Sequence, residues 1–326
     1  MAQMRIGMIG AGGIAGKLAL TIAEMKDVEN YAIASRSLEK AKEFQKTFHF
    51  KKAYGSYEEL LQDPQVDLVY IATPHSEHYA EMELCLQYHK SVLCEKAFTA
   101  NAKQAEDILS RFEKEHLFVT EAIWTRYLPS RKIIDDIVSS GVLGDIYLVS
   151  ANLCYPNKSH PRLTDPALAG GALLDMGIYP LTFALMVYHA NPLTLHAECK
   201  KTETGVDEAT TMILSFPGGK QAVLFTAMDG PSDRNGFVYG SKGYLKVTNC
   251  NNPERLTVFN ANHEITQNYP IPKQISGYEY EIDECRRCLE QKLCESPFVS
   301  HRVSIEVMQM MDEMRKQIGI VYPFEK

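Results

Sequence analysis

The 326-residue chain is long enough for two domains and a large core, and its 45% hydrophobic and 23% charged content is ordinary for a soluble globular protein. A net charge of −7 argues against nucleic acid or an anionic membrane as the main partner. No basic segment followed by an apolar run opens the chain, no run approaches the ~20 residues of a membrane span, and the eight cysteines read as reduced thiols of a cytoplasmic protein.

The first element organises the rest. Ile6, Met8 and Ile9 form an apolar run that reads as a buried parallel strand, followed at once by Gly10-x-Gly12-x-x-Ala15 and a helical pattern through Met25. Strand, glycine turn and helix together are the fingerprint of a dinucleotide site. Gly10 permits the tight turn, Gly12 lets a pyrophosphate approach the backbone, and Ala15 lets helix and strand pack closely. The N–H groups of the turn, from Gly12, Gly13 and Ile14 onward, meet the phosphates at the positive end of the helix dipole.

Tyr31–Ala34 reads as the second strand, ending in Ser35-Arg36-Ser37. An NAD site wants a carboxylate here for the ribose 2′-hydroxyl, and none stands between Tyr31 and Leu38. A guanidinium flanked by two hydroxyls suits a 2′-phosphate, so NADP is expected over NAD. Ser37 also has the position of an N-cap for a helix over Leu38–Phe48.

A short strand near Lys52–Tyr54 and a small helix opened by Ser56 precede the buried strand Val66–Ala72. Ala72, Thr73 and Pro74 then stand beyond its carboxyl end, where ligands of parallel sheets sit, with His78 opening the next helix as a packing or supporting group. Ser91–Cys94 is another strand, and Glu95-Lys96 follows it into the same crevice. A helix over Ala100–Glu115 and a strand over Leu117–Ala122 lead to Trp124, the single tryptophan, and Arg126.

Beyond Ser130 a helix ends at Gly141 and a strand covers Asp145–Leu153; the Pro-rich, polar segment Cys154–Ala169 reads as an ordered loop near the active site. Gly170-Gly171 opens an apolar helix, Ala172–His189, which puts Asp175 and Tyr179, four apart, on one face. From Leu193 to Tyr269 strand-like runs alternate with turns such as Pro217–Lys220 and Gly240–Gly243, which indicate antiparallel pairing. Helices over Gly277–Leu293 and Ser300–Gln317 end the chain. Cys285-x-x-Cys288 lies in a helical pattern with no second pair at zinc spacing, so no metal site is expected.

Gly10-x-Gly12-x-x-Ala15, Ala72-Thr73-Pro74 with His78, Glu95-Lys96, and Gly170-Gly171-x-x-x-Asp175-x-Gly177-x-Tyr179 resemble, over essentially the whole chain, the glucose–fructose oxidoreductase / inositol dehydrogenase (Gfo/Idh/MocA) family. Glu121-Ala122-x-Trp124-x-Arg126, with tyrosine at 179, is similar to the branch of dihydrodiol and NADP-dependent xylose dehydrogenases. The resemblance implies an α/β fold: a Rossmann domain over residues 1–123, then an α+β domain over 124–326 with a large, mostly antiparallel open sheet whose other face makes a homodimer. It also implies NADP-dependent hydride exchange with a sugar or cyclic trans-diol. Lys96 and Tyr179 are the acid–base pair, either able to take the other's role. Asp175 orients Lys96 or binds a substrate hydroxyl, and Trp124 and Arg126 line the cofactor or substrate side. Other readings of the same fold are a relative acting on an inositol or imine, and an NADP sensor without catalysis. Where the family has Glu-Lys-Pro this chain has Ala97. A cis bond before a non-proline residue costs roughly 2.5–4 kcal/mol, so a trans Lys96–Ala97 peptide is expected.

Overall fold

The computed structural model describes residues 3–325, which fall into two compact units. The first comprises residues up to Trp124 together with Gln274–Met308, and the second Thr125–Lys273 with residues from Gln309 onward.

The first unit begins with strand β1 (Met4–Ile9), helix α1 (Gly13–Glu24), β2 (Val28–Ala34), α2 (Leu38–Phe48), β3 (Lys52–Tyr54) and α3 (Tyr57–Leu61). It continues with β4 (Leu68–Ile71), α4 (His78–Gln87), β5 (Val92–Glu95), α5 (Ala102–Lys114) and β6 (Val119–Ala122). The six strands form one parallel sheet in the order β3-β2-β1-β4-β5-β6. The order reverses between β1 and β4, which opens a crevice at their carboxyl ends. Ile6, Met8, Leu18, Ile33, Leu68, Tyr70 and Leu93 fill the core beneath it.

The second unit contributes α6 (Pro129–Ser139), β7 (Ile146–Cys154), α7 (Pro161–Thr164), α8 (Ile178–Tyr188), β8 (Thr194–Lys201), β9 (Asp207–Phe216) and β10 (Lys220–Ala227). Strands β11 (Gly236–Gly240), β12 (Gly243–Thr248), β13 (Arg255–Asn260) and β14 (Ile265–Tyr269) follow. Its eight strands run β14-β13-β12-β11-β7-β10-β9-β8, antiparallel except for the parallel β7–β10 pair. Helix α8 packs on β7, β10 and β11, and along β10 Ala222, Leu224 and Thr226 turn inward while Val223 and Phe225 face outward. The fold class therefore matches the sequence reading.

Three features differ from it. The chain returns: α9 (Glu279–Glu290) buries Ile282, Cys285 and Cys288 in the core of the first unit, and the last helix, α10 (His301–Gln317), starts in the first unit and ends in the second. The single division expected at 123/124 is thus replaced by three crossings, after Trp124, Lys273 and Met308, because the apolar stripe of α9 completes the first core. Second, the helix expected from Ala172 begins with a π-helical turn, Leu173–Gly177, before α8. Third, one stretch does meet the length and hydropathy of a membrane span: in Pro166–Tyr188, 23 residues, the most apolar 18-residue window is 94% buried inside the protein, as the core helix of a soluble protein also is.

Candidate active site

In the first unit the ends of three strands meet at the glycine turn. Gly10 has φ 97°, and its N–H donates to Ala34 O at 3.1 Å. A Cβ at residue 10 would lie 2.9 Å from Ala72 O and 3.0 Å from Thr73 Cγ2; at residue 12 it would lie 3.9 Å from Ala72 O. Gly12 N-caps α1 without a side chain, and the first turn holds no acidic residue. Around a Cβ on Gly13 there is open space. A helix start with uncapped N–H groups, a positive dipole end and a backbone no side chain shields fits the pyrophosphate of a dinucleotide. Ala15 is fully buried in the core, with Ile14 packed against it.

At the end of β2, Arg36 is exposed, whereas Ser35 is buried. Ser37 Oγ accepts the Lys40 N–H at 3.3 Å, so this hydroxyl caps α2. On the other side of the turn, Thr73 Oγ1 donates to Glu81 Oε2 at 2.5 Å, a buried carboxyl that sequence reading missed. Pro74 closes this turn, its carbonyl accepting the Glu77 N–H at 2.9 Å. His78 is fully buried: Nε2 lies 3.0 Å from Thr73 O and Nδ1 3.0 Å from Ala97 O. It ties two crevice loops together from within, and burial lowers its proton affinity below the usual histidine value.

Glu95 is buried at the end of β5 and accepts the hydroxyl of Tyr70. Burial first, then the charges of Glu95 and Glu281, hold that phenol well above its usual range. Glu281, brought by α9, is fully buried beside them; its two oxygens have no hydrogen-bond partner, and burial lifts its carboxyl well above the usual range. Lys96 is half-buried. The Lys96–Ala97 peptide is cis, which corrects the trans expectation. The backbone on its far side answers to buried partners, His78 at Ala97 O and Glu121 Oε1, which accepts the Phe98 N–H at 3.1 Å. The indole of Trp124 stacks on Tyr278 at 4.4 Å and 17°, which occupies one of its faces.

The second unit holds the other candidates. Arg126 is buried next to Thr125, whose Oγ1 donates to Asn251 O at 2.9 Å. Gly171, at φ 126°, stands two residues before the π-helical turn, and a Cβ there would clash with Asp207 Oδ1. Asp207 in turn accepts the Leu173 N–H at 2.6 Å and the Thr210 hydroxyl at 2.8 Å, fixing the start of the turn. Asp175, 6% exposed, accepts from Arg162 Nη1 at 3.0 Å. That arginine lies in the polar loop that the sequence flagged without singling it out. Tyr179, half-buried, rests with Tyr155 on the cluster of Leu153, Leu163, Met176 and Met228. The sequence placed Asp175 and Tyr179 by regular helical spacing; the π-helical turn, a device common at functional sites, re-aims the carboxylate toward Arg162.

Comparison with known proteins agrees with this geometry. Residues 4–122 match an oxidoreductase family with an NAD-binding Rossmann fold, and residues 132–246 match the GFO/IDH/MocA C-terminal domain. Trans-1,2-dihydrobenzene-1,2-diol dehydrogenases from Sus scrofa and Bos taurus are 35% and 36% identical, over 99% of this chain and 99% of theirs. Among solved structures, a 3-ketoreductase from Actinomadura kijaniata in complex with NADP and TDP-benzene is similar at a TM-score of 0.88 and 24% identity, over 97% of this chain and 98% of that one. An aldose-aldose oxidoreductase from Caulobacter crescentus is similar at 0.86 and 20%, over 97% of each chain. With both its domains matched and full-length relatives above 30% identity, the chain belongs to the GFO/IDH/MocA family of oxidoreductases, which bind a nicotinamide dinucleotide on a Rossmann fold.

Proposed function

We propose that this protein is an NADP-dependent dehydrogenase that interconverts a carbinol and a carbonyl carbon in a cyclic trans-diol or a sugar. The observation that carries the cofactor reading is the cradle: Gly10 set against Ala72 and Thr73, the uncapped start of α1, and an exposed Arg36 with no carboxylate between Tyr31 and Leu38. The substrate class follows the full-length relatives named as diol dehydrogenases.

The bound nicotinamide would supply or accept the hydride. The chain's own residues manage the proton. In reduction the Tyr179 hydroxyl protonates the developing alkoxide, and in oxidation the phenolate takes that proton back. The Lys96 ammonium favours the phenolate by its charge. Asp175, held by Arg162, accepts from a substrate hydroxyl and fixes which carbon is presented. Thr73 and Pro74 floor the cofactor, and Trp124 lines its side.

We also propose a cytoplasmic homodimer. The face of the second sheet turned away from α8 exposes Ile213, Val223 and Phe225, at 44%, 39% and 43%, and an apolar face of this kind fits a second copy. A concentration-independent monomer in sedimentation overturns the dimer.

Steady-state oxidation of a panel of trans-diols, aldoses and inositols with NADP and NAD in parallel tests the whole reading. Turnover with NADP at least ten-fold above NAD is expected. Tight NADPH binding without turnover on any substrate would point to a sensor instead.

A further inference from the structure

Glu81 has no part in the scheme so far, yet it sits under the dinucleotide cradle. Its carboxyl, 6% exposed on α4, accepts the Thr73 hydroxyl at 2.5 Å, and the methyl of that threonine is 3.0 Å from where a Cβ on Gly10 would stand. Carboxyl, threonine and glycine turn thus lie in sequence. Thr73, Glu77 and Arg36 act on Glu81, and Glu81 in turn acts on Tyr57, Cys85 and Cys94. Glu77 stands at the N-cap of α4 and Cys85 on that helix, Arg36 stands just past the end of β2, Tyr57 at the start of α3, and Cys94 on β5. Both thiols stay neutral, since burial pushes them far up, and burial likewise lifts the Tyr57 phenol to about 12. Arg36 is the cation among these groups, and it is also the residue assigned to the 2′-phosphate.

Burial is the largest influence on Glu81. Together with the like charge of Glu77 it overrides Thr73 and Arg36 and lifts the carboxyl to about 8. The group therefore changes charge within the ordinary working range of an enzyme.

We propose that Glu81 is a charge gate for the 2′-phosphate of the cofactor. Uncharged, it supports Thr73 beneath the glycine turn and leaves the Arg36 charge to the phosphate. Ionised, it competes for Arg36 and repels the phosphate. The preference for the phosphorylated over the unphosphorylated dinucleotide then falls as pH rises, and the inference rests on the NADP reading above. The sign follows from linkage: a bound 2′-phosphate favours the protonated carboxyl, so affinity is level well below the titration and declines above it. One coupled proton bounds the loss at roughly thirty-fold by about pH 9.5.

The test is fluorescence titration of the protein with NADPH and with NADH at about pH 7 and about pH 9.5, for wild type and Glu81→Gln. The expected result is a three- to thirty-fold weaker NADPH affinity at the higher pH, less than two-fold for NADH, and a flat NADPH response in Glu81→Gln, whose amide still accepts from Thr73. Parallel weakening of both dinucleotides, or a persistent slope in Glu81→Gln, overturns the gate. If the variant does not fold, calorimetry of wild type near pH 8 in buffers of different ionisation enthalpy decides: net proton uptake with NADPH and none with NADH is expected, and equal uptake overturns it. NADPH binding no tighter than NADH at pH 7 would remove the NADP reading itself. A flat pH response with the NADPH preference intact would remove only Glu81.

Discussion

Arg162 Nη1 stands 3.0 Å from Asp175 Oδ1, a pairing that ties the loop before the Gly170-Gly171 turn to the carboxylate within the π-helical segment. The arginine is half-exposed and the aspartate nearly buried, so the pair presents a charged face from a fixed base. Replacing Arg162 by methionine keeps the packing of the stem and removes the cation. A charge-assisted hydrogen bond contributes about 1.5–3 kcal/mol, so kcat/KM on the best substrate of the panel is expected to fall roughly 10- to 100-fold. Wild-type kcat/KM in Arg162→Met would exclude the pair from substrate positioning.

Gly10 and Gly13 separate folding from binding. Gly10→Ala forces a side chain into a positive-φ position 2.9 Å from Ala72 O, so a lower melting temperature and at least a ten-fold loss of NADPH affinity are expected. Gly13→Ala meets open space on the first turn of α1, where alanine favours the helix by up to about 1 kcal/mol. Its stability should hold or rise while its NADPH affinity drops. Unchanged affinity in Gly13→Ala would mean the phosphates do not rest on this turn.

Tyr322 reaches the Gly170-Gly171 turn from the far end of the second unit's sequence. It is 1% exposed, and its hydroxyl donates to Gly170 O at 2.9 Å, with the Arg315 guanidinium 4.6 Å over its ring. Tyr322→Phe leaves a buried carbonyl short of a donor, which costs about 1–3 kcal/mol. A fall of several degrees in the unfolding midpoint, read by circular dichroism, is expected; an unchanged midpoint contradicts the assignment.

Asp63 should govern part of the acid sensitivity of the first unit. Burial raises its carboxyl, but Lys52 Nζ at 2.7 Å, the Gln65 N–H at 2.9 Å and the Tyr54 hydroxyl at 2.7 Å outweigh it and hold it at about 2. A depressed carboxylate stabilises the fold above its unfolded value of ~3.9, and this is lost as pH falls from there toward about 2. Allowing for the exposure of Lys52, about 1–2 kcal/mol is at stake. Asp63→Asn should be less stable than wild type in urea at pH 7, with the gap closing near pH 2. A constant gap across that range would refute the ionic assignment.

The sequence by itself determined what depends on neighbours along the chain. Gly10 marks the turn because its backbone takes φ 97°, a conformation that favours glycine, and Ser37 caps α2 through a contact three residues away. The alternating runs of β9, β10, β11 and β12 carried their pairing in the turns between them. Tertiary structure alone decided the rest, because those contacts join residues far apart in sequence. Glu281 sits beside Tyr70 and Glu95 only because α9 returns to the first core, which no local pattern on α9 announces. Arg162 reaches Asp175 only because Asp207, more than thirty residues on, sets the start of the π-helical turn. Glu81 looked like one more charge on a helix; burial next to Thr73, which is a property of the packed unit and not of the chain, makes it a group that titrates near neutrality.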